Sequence, residues 1–387
     1  MSGQSQPSFS VIIPTRERAD TLKYAIATAL NQDFDAFEVI VSDNCSLDDT
    51  REVVLEFNDP RVKYFNTGRR LSMCDNYEFA LEHATGKYVT IIGDDDAVMP
   101  GALRRLNAEM EAHPSSIYAW PKGVYVWPFG ERKATVERIP HISPRREINL
   151  EKSVRRCVSQ GAWGYTRIPN VYHSMVKAQI LSEIRTTTGR VFHSTQPDLF
   201  TGFALPVFSN TALNVGYPVT LHGRSPKSNG GVAVDKGALE NISLYLREFG
   251  DYQVHPTLPV EFPHLAPHAN FLPDSLLVAI ELFPEYYERM KFNYEAMWTL
   301  FCLNTDKGFR FGIRTRDILL NTPKIRRYHS FSTLRFLLHL AAYKVFLSSR
   351  ELLKRPPELG PFQSDAPNNI LDFVKQLDEW QASQRTS

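Results

Sequence analysis

Three consecutive carboxylates, Asp94, Asp95 and Asp96, follow Gly93 directly after the apolar run Val89-Thr90-Ile91-Ile92 in KYVTIIGDDDAVMP. Unit charges about 4 Å apart repel by about 1 kcal/mol in water and about 4 kcal/mol near a protein surface. Such a cluster either faces solvent as an Asp-rich turn or carries something positive. Asp43 closes a second apolar run, FEVIVSD, and Asp198 stands in STQPDLFTGFAL. His222, Arg224 and Lys227 flank or enter the Gly/Ser/Pro-rich stretch Ser225–Gly231, which reads as a surface loop, a lid or a domain edge.

The elements that must position these residues alternate along the first 120 positions. FSVIIP, FEVIVSD, RVKYF and the Lys87–Ile92 run read as strands. Between them lie helical patterns. The first has Leu22, Ile26, Ala29 and Leu30 in phase with Asp20 as N-cap. A second has Ser46 and Asp49 as a capping box, and a third runs from Ser72 to a stop at Gly86. A fourth follows Pro100. Strands alternating with helices imply parallel β-α-β units and a sheet covered on both faces. Ligands of such sheets bind beyond the carboxyl ends of the strands, where Asp43 and Asp94–Asp96 both fall. Between Trp120 and Leu150 the sequence mixes short strands with a Pro- and Arg-rich loop, without placing its elements. VYHSMVKAQILSEIR reads as a strand running into a helix, and the last third is aromatic and helical.

With 387 residues, 43% hydrophobic and 22% charged, the chain is long enough for one large or two ordinary soluble domains. Its 44 basic and 43 acidic residues leave no global field for nucleic acid, which is not expected as a partner. Cys45, Cys74, Cys157 and Cys302 are scattered, with no C-x-x-C pair, and read as reduced structural thiols. MSGQSQPSFS has neither a basic nor an apolar leader region, and no run of about 18 apolar residues occurs; a cytoplasmic protein is expected.

SVIIPTRERADTLKYAIATALNQDFDAFEVIVSDNCSLDDT followed by ATGKYVTIIGDDDAVMPGAL resembles the opening half of a family 2 glycosyltransferase with the GT-A fold. The likeness is close over Phe9–Trp120 and loose over Val171–His222. It implies an α/β fold: a Rossmann-type, mainly parallel sheet flanked by helices over residues 8–225, with a mostly helical C-terminal region over 232–387. It further implies inverting transfer of a sugar from a UDP-, GDP- or dTDP-linked donor to a glycan or lipid-linked acceptor in polysaccharide biosynthesis. The alternatives are an inactive sugar-nucleotide-binding scaffold and a retaining transferase of the same fold.

Carried onto this chain, the resemblance puts Pro14, Thr15, Arg16 and Glu17 beside the nucleotide. Asp43 accepts from the base, Asn44 shapes the same turn with Ser46, and Asn76 lies near the sugar-nucleotide. The aspartates then hold Mn²⁺ or Mg²⁺ against the diphosphate, with Asp95 the direct ligand, Asp96 and His222 beside it, and Asp94 on the ribose or donor sugar. The family pattern has an aspartate where Gly93 stands. Asp198 is the implied general base, its competing role being a helix N-terminal carboxylate favoured by the dipole. Trp163 and Tyr165 are candidates for stacking on an acceptor sugar, with burial as the commoner role of such rings. His264 and His268, separated by Pro267, read as structural. The basic stretch Lys307–Arg327 and the apolar FSTLRFLLHLAAYKVFL after it read as a core helix or homodimer interface, with peripheral contact at the inner face of the membrane as the alternative.

Overall fold

The computed structural model describes residues 6–228, 267–297, 359–362 and 366–386, together with single residues 334, 338 and 341. The basic stretch, His264, Cys302, the end of the Ser225–Gly231 loop and most of the apolar segment after Arg327 lie outside the described residues.

Strands β1 (Phe9–Thr15), β2 (Phe37–Asp43), β3 (Val62–Asn66) and β4 (Tyr88–Ile91) pair in parallel in the order β3-β2-β1-β4. Their apolar runs are continuous because both faces are covered: every residue of β2 is buried, as are six of the seven of β1. The sheet extends beyond β4 through β10 (Ser174–Lys177), β6 (Ile117–Ala119), β11 (Thr211–Asn214) and β9 (Arg146–Asn149). Here β10 runs antiparallel to both neighbours and β9 antiparallel to β11, so eight strands form a mixed sheet that is parallel in its N-terminal half. A second, four-stranded sheet joins β5 (Ala97–Val98), β12 (Thr220–Arg224), β7 (Val124–Val126) and β8 (Thr135–Arg138) in that order. Its strands β7 and β8 lie in the stretch where the sequence leaves short strands unplaced.

The helix starts depart from the expected caps for local reasons. Helix α1 (Ala19–Leu30) has Arg18 at its N-cap and Asp20 inside the first turn. Helix α2 (Thr50–Leu55) begins after Asp49 without a side-chain cap; Ser46 lies before the N-cap position, and its hydroxyl accepts the Glu17 N–H at 2.9 Å. Helix α3 (Met73–Glu82) is capped by Ser72, whose hydroxyl accepts the Asp75 N–H, and it ends at His83 rather than at Gly86. Helices α4 (Ala102–Ala112), α5 (Leu150–Ser159), α6 (Ala178–Thr188) and α7 (Pro197–Phe208) complete the layers around the sheet.

The described C-terminal helices pack into the same two cores. Helix α8 (Pro267–Leu282) lies on α7, with α9 (Pro284–Tyr287) behind it, and Leu276 and Leu277 join the core that holds Phe200 and Phe203. Helix α10 (Ile370–Thr386) buries Phe373, Val374 and Leu377 against the opposite core, where Tyr125 donates its hydroxyl to the Pro367 carbonyl at 2.6 Å. No helix among the described residues is long and apolar enough to cross a membrane. Cys45, Cys74 and Cys157 are free thiols.

Candidate active site

The carboxyl ends of β1, β2 and β4 open onto a cavity of about 610 Å³. Its wall includes Pro14, Thr15, Arg16 and Glu17 from the end of β1, Asn44 after β2, Asn76 and Tyr77 on α3, and Asp94 and Asp95 after β4. Asp198 and His222 line it too, so one hollow gathers residues separated by two hundred positions.

The aspartates are not a solvated turn, since all three are buried. Much of the charge that balances them comes from the chain itself. Asp94 accepts from the Arg18 guanidinium and from the Thr15 hydroxyl, both at 2.7 Å. Asp95 accepts the Ser225 N–H at 2.9 Å and lies 3.9 Å from Arg18. Burial pushes the Asp95 carboxyl up to about 6; Arg18 opposes this, and Asp96 and Asp94 reinforce it. Arg18 also donates to the Lys227 carbonyl, while Lys227 Nζ reaches the Glu17 carbonyl at 3.0 Å. The segment after β12 is thereby tied across the turn after β1.

Asp96 points the other way. One carboxylate oxygen accepts the Gly93 N–H at 2.6 Å and the Tyr172 hydroxyl at 2.5 Å; the other accepts the Gly223 N–H at 2.7 Å. Two imidazoles complete its surroundings, His173 Nε2 at 3.0 Å and His222 Nδ1 at 3.2 Å. Burial works against ionisation of Asp96, yet these imidazoles hold its carboxyl well below the usual range. Burial lowers His173 to about 4 despite Asp96. His222 is raised, because the hydrogen bond to Asp96 outweighs its burial. Burial thus drives His173 toward its neutral form, whereas the contact with Asp96 draws His222 toward its charged one. His173 Nδ1 meets the Thr220 hydroxyl at 2.6 Å, but its Nε2, though close to Asp96, lacks the direction of a hydrogen bond and is a buried polar atom without a partner.

Backbone geometry sets this arrangement. His173 has φ 58°, a left-handed conformation rare for a residue with a side chain, at the hook between a bridge of Tyr172 to Ile91 and the antiparallel strand β10. Strand β12 lies so close to the aspartate turn that a Cβ on Gly223 would sit 1.6 Å from the Asp95 carbonyl oxygen. Gly93 stands where the resemblance implies an aspartate, and the ends of three polar side chains close over it. A Cβ there would meet Asp95 Oδ1 and the Tyr172 hydroxyl at 2.9 Å and Asp96 Oδ2 at 3.0 Å.

Among the described residues, Asp96, His173 and His222 form the one group whose ligand atoms lie within 4.8 Å of one another. The structure thus brings Asp96 and His222 together, adds His173 and leaves Asp95 outside the group. A carboxylate with two imidazoles, one carrying an orphaned buried nitrogen, fits a divalent cation.

Asp43 is buried behind the wall. Its carboxylate accepts from the Ser46 N–H at 2.9 Å, the Tyr64 hydroxyl at 2.6 Å and Asn66 Nδ2 at 2.9 Å. Asn44 clamps Leu71 through both its backbone groups, and Asn76 accepts the Ser42 hydroxyl at 2.6 Å. Asp198 occupies the first turn of α7 and faces the cavity. Burial raises its carboxyl above the ordinary value against the Leu199 N–H and the charge of Lys122. Tyr165 joins the wall, whereas Trp163 is exposed. Arg224 turns outward to Glu137 at 2.6 Å. Sequence reasoning passed over Arg18, Tyr172, His173 and Lys122; of these only Arg18 had a signal, its place in PTRER beside the first strand end.

The family model for Glycosyl transferase family 2 matches residues 10–170. Over 103 residues the chain is 44% identical to the GalNAc(5)-diNAcBac-PP-undecaprenol beta-1,3-glucosyltransferase of Campylobacter jejuni, covering 26% of this chain and 33% of that protein. Over 87 residues it is 31% identical to the UDP-Glc:alpha-D-GlcNAc-diphosphoundecaprenol beta-1,3-glucosyltransferase WfgD of Escherichia coli, covering 22% and 34%. Both matches span about a third of the relative's length. Among solved structures, S. aureus TarS 1-349 in complex with UDP-GlcNAc superposes with a TM-score of 0.50 at 16% identity, covering 83% of this chain and 90% of that one, a likeness of fold. With the P-T turn, the S-D-N turn and the buried aspartates set at three neighbouring strand ends, residues 10–170 are similar to glycosyltransferase family 2, and the chain has a GT-A-like fold.

Proposed function

We propose that the chain transfers a sugar from a nucleoside-diphosphate donor to a hydroxyl of a glycan or lipid-linked acceptor in polysaccharide or glycolipid biosynthesis, with inversion at the anomeric carbon. The observation that carries this reading is the shared cavity: the strand-end residues Thr15, Asn44 and Asp94 line it together with Asp198. Pro14, Thr15, Arg16 and Glu17 hold the nucleoside, and Thr15 is fixed for this by Asp94. Asp43, which does not line the cavity, acts on the base through the turn it holds by accepting the Ser46 N–H, and Asn44 and Asn76 shape the pocket. Asp94, paired with Arg18, faces the ribose or donor sugar. Asp198 takes the proton of the acceptor hydroxyl as it attacks. Residues 8–225 are the catalytic unit in this reading, and 232–387 support it.

Asp96, His173 and His222 would hold a divalent cation, with Asp95 at its edge. Such a cation supplies Lewis-acid stabilisation of the leaving diphosphate. The name of the Escherichia coli relative carries UDP-Glc, which makes UDP the first nucleotide to test.

The test is calorimetric titration of UDP, GDP and dTDP into the full chain, with and without Mn²⁺, repeated with Asp96→Asn. Binding of one nucleotide, strengthened by Mn²⁺ in the wild type and not in the variant, is the expected result. Binding of none of the three under either condition would overturn the reading.

A further inference from the structure

The residues on either side of His173 face two different hollows. Tyr172 lines the cavity of the aspartates, and Ser174 lines a second cavity, also of about 610 Å³. The wall of the second takes three cations from separate parts of the chain: Lys122 after β6, Arg146 on β9, and Arg167 in the short turn Tyr165–Arg167. Glu147 is its one carboxylate. Among the described residues, neither Arg146 nor Arg167 is held in an ion pair. Lys122 Nζ has a single long hydrogen bond, 3.4 Å to the Tyr172 carbonyl.

Three cations around one hollow against a single carboxylate leave it a net positive charge, which exposure of the arginines screens but does not cancel. A ligand with at least two negative charges relieves it, and paired guanidinium forks match phosphate oxygens in geometry as well as charge. The volume falls within the range of small-molecule sites, enough for a diphosphate and part of an attached sugar. Position gives the ligand a role. The Lys122 ammonium rests on the residue before His173, and its charge is felt at both Asp198 and Asp96. An anion in this cavity lies beside the donor cavity, on the side of the proposed base.

We infer that the Lys122–Arg146–Arg167 cavity seats the phosphate or diphosphate group of the acceptor. The inference rests on the donor occupying the first cavity. The group has two sources, a polyprenyl carrier in a membrane or a soluble phosphorylated glycan.

The experiment titrates inorganic pyrophosphate, without divalent cation, into the full chain and into the Arg146→Gln/Arg167→Gln double variant. UDP with Mn²⁺ is titrated into the same two proteins. Both arginines are exposed, so folding should survive, and unchanged UDP affinity checks it. Pyrophosphate should bind the wild type and bind the variant at least about tenfold more weakly, the scale of a lost charge-assisted hydrogen bond. Glu147→Gln, which removes the opposing carboxylate, should tighten pyrophosphate about threefold, a gain that misfolding cannot mimic. Equal affinity in all three proteins, or no binding to the wild type while UDP binds, overturns the acceptor cavity alone. If UDP fails to bind the wild type, the donor reading falls and takes the acceptor assignment with it. Phosphatidylcholine vesicles bearing a polyprenyl diphosphate identify the source. Retention of wild type but not of the double variant assigns the lipid carrier. Absence of retention beside variant-sensitive pyrophosphate binding assigns a soluble phosphorylated glycan.

Discussion

The two cavities meet across a few residues around His173 and have the same volume, yet their charge is handled in opposite ways. The first has a floor of buried acids already engaged by this chain: Arg18 on Asp94, two imidazoles and two backbone N–H groups around Asp96, and the Ser225 N–H on Asp95. The second has cations that the chain leaves largely unengaged. Raw charge is thus a poor guide to what a site binds. The charge left over after internal partners are counted is the better one. By that measure the aspartate turn is a largely satisfied scaffold that offers a cation chiefly Asp96 with its two imidazoles, and the second cavity keeps a net positive charge.

The largest effect should come where the two cavities are proposed to cooperate. Asp198→Asn keeps shape and removes the proton acceptor, so sugar transfer should fall by about 10²–10⁴-fold. Nucleotide and pyrophosphate affinities should stay within about twofold, measured calorimetrically on the same protein. Transfer surviving at more than a tenth of the wild-type rate would place the base elsewhere.

The next effect sharpens the contrast in internal pairing. Arg18 has 16% of its side chain exposed and Asp94 4%, so Arg18→Met strands a buried carboxylate. Breaking such a pair costs about 3–5 kcal/mol. Urea unfolding should show a loss of that order, and Arg18→Met/Asp94→Asn should recover most of it. A loss below about 1 kcal/mol for Arg18→Met would mean that the aspartates are balanced by something other than this guanidinium.

These residues also mark how far the sequence could be read. Strands β1, β2 and β4 were legible because strands buried on both faces are continuous apolar runs, and the turns carrying Thr15, Asp43 and Asp94 follow directly from their ends. The small sheet was not. Its strands are two to five residues long, and two of them, β5 and β12, lie far from the β7–β8 pair, so no local periodicity announces it. Yet this sheet sets His222 and Gly223 against Asp96 and leads into Ser225 against Asp95. Nothing in spacing pairs residue 18 with residue 94, or places His173 beside Asp96 through a left-handed hook. The capping box expected at Ser46 does not form because the helix starts later, at Thr50, and the Ser46 hydroxyl instead accepts a distant N–H, that of Glu17. The cation cavity was invisible because its three charges lie on separate elements and meet only in the fold.

The smallest effect is a pH dependence that belongs to the second cavity. Burial lowers Lys122 to about 8 from its ordinary 10.5, although Asp198 and Asp96 pull it upward and Arg138 adds to the lowering. Between about pH 8 and 10.5 the unfolded chain therefore binds more protons at this position than the folded one, and linkage makes this contribution to stability rise with pH across that window. Pyrophosphate affinity should move in the opposite direction, weakening as pH passes about 8 and the ammonium is lost. Lys122→Met should flatten both trends while leaving UDP affinity unchanged. A thermal-melt series with parallel titrations at pH 7, 8 and 9 reads both. If pyrophosphate affinity in the variant retains the wild-type pH profile, Lys122 does not face the anion, and the cavity's charge comes from the two arginines alone.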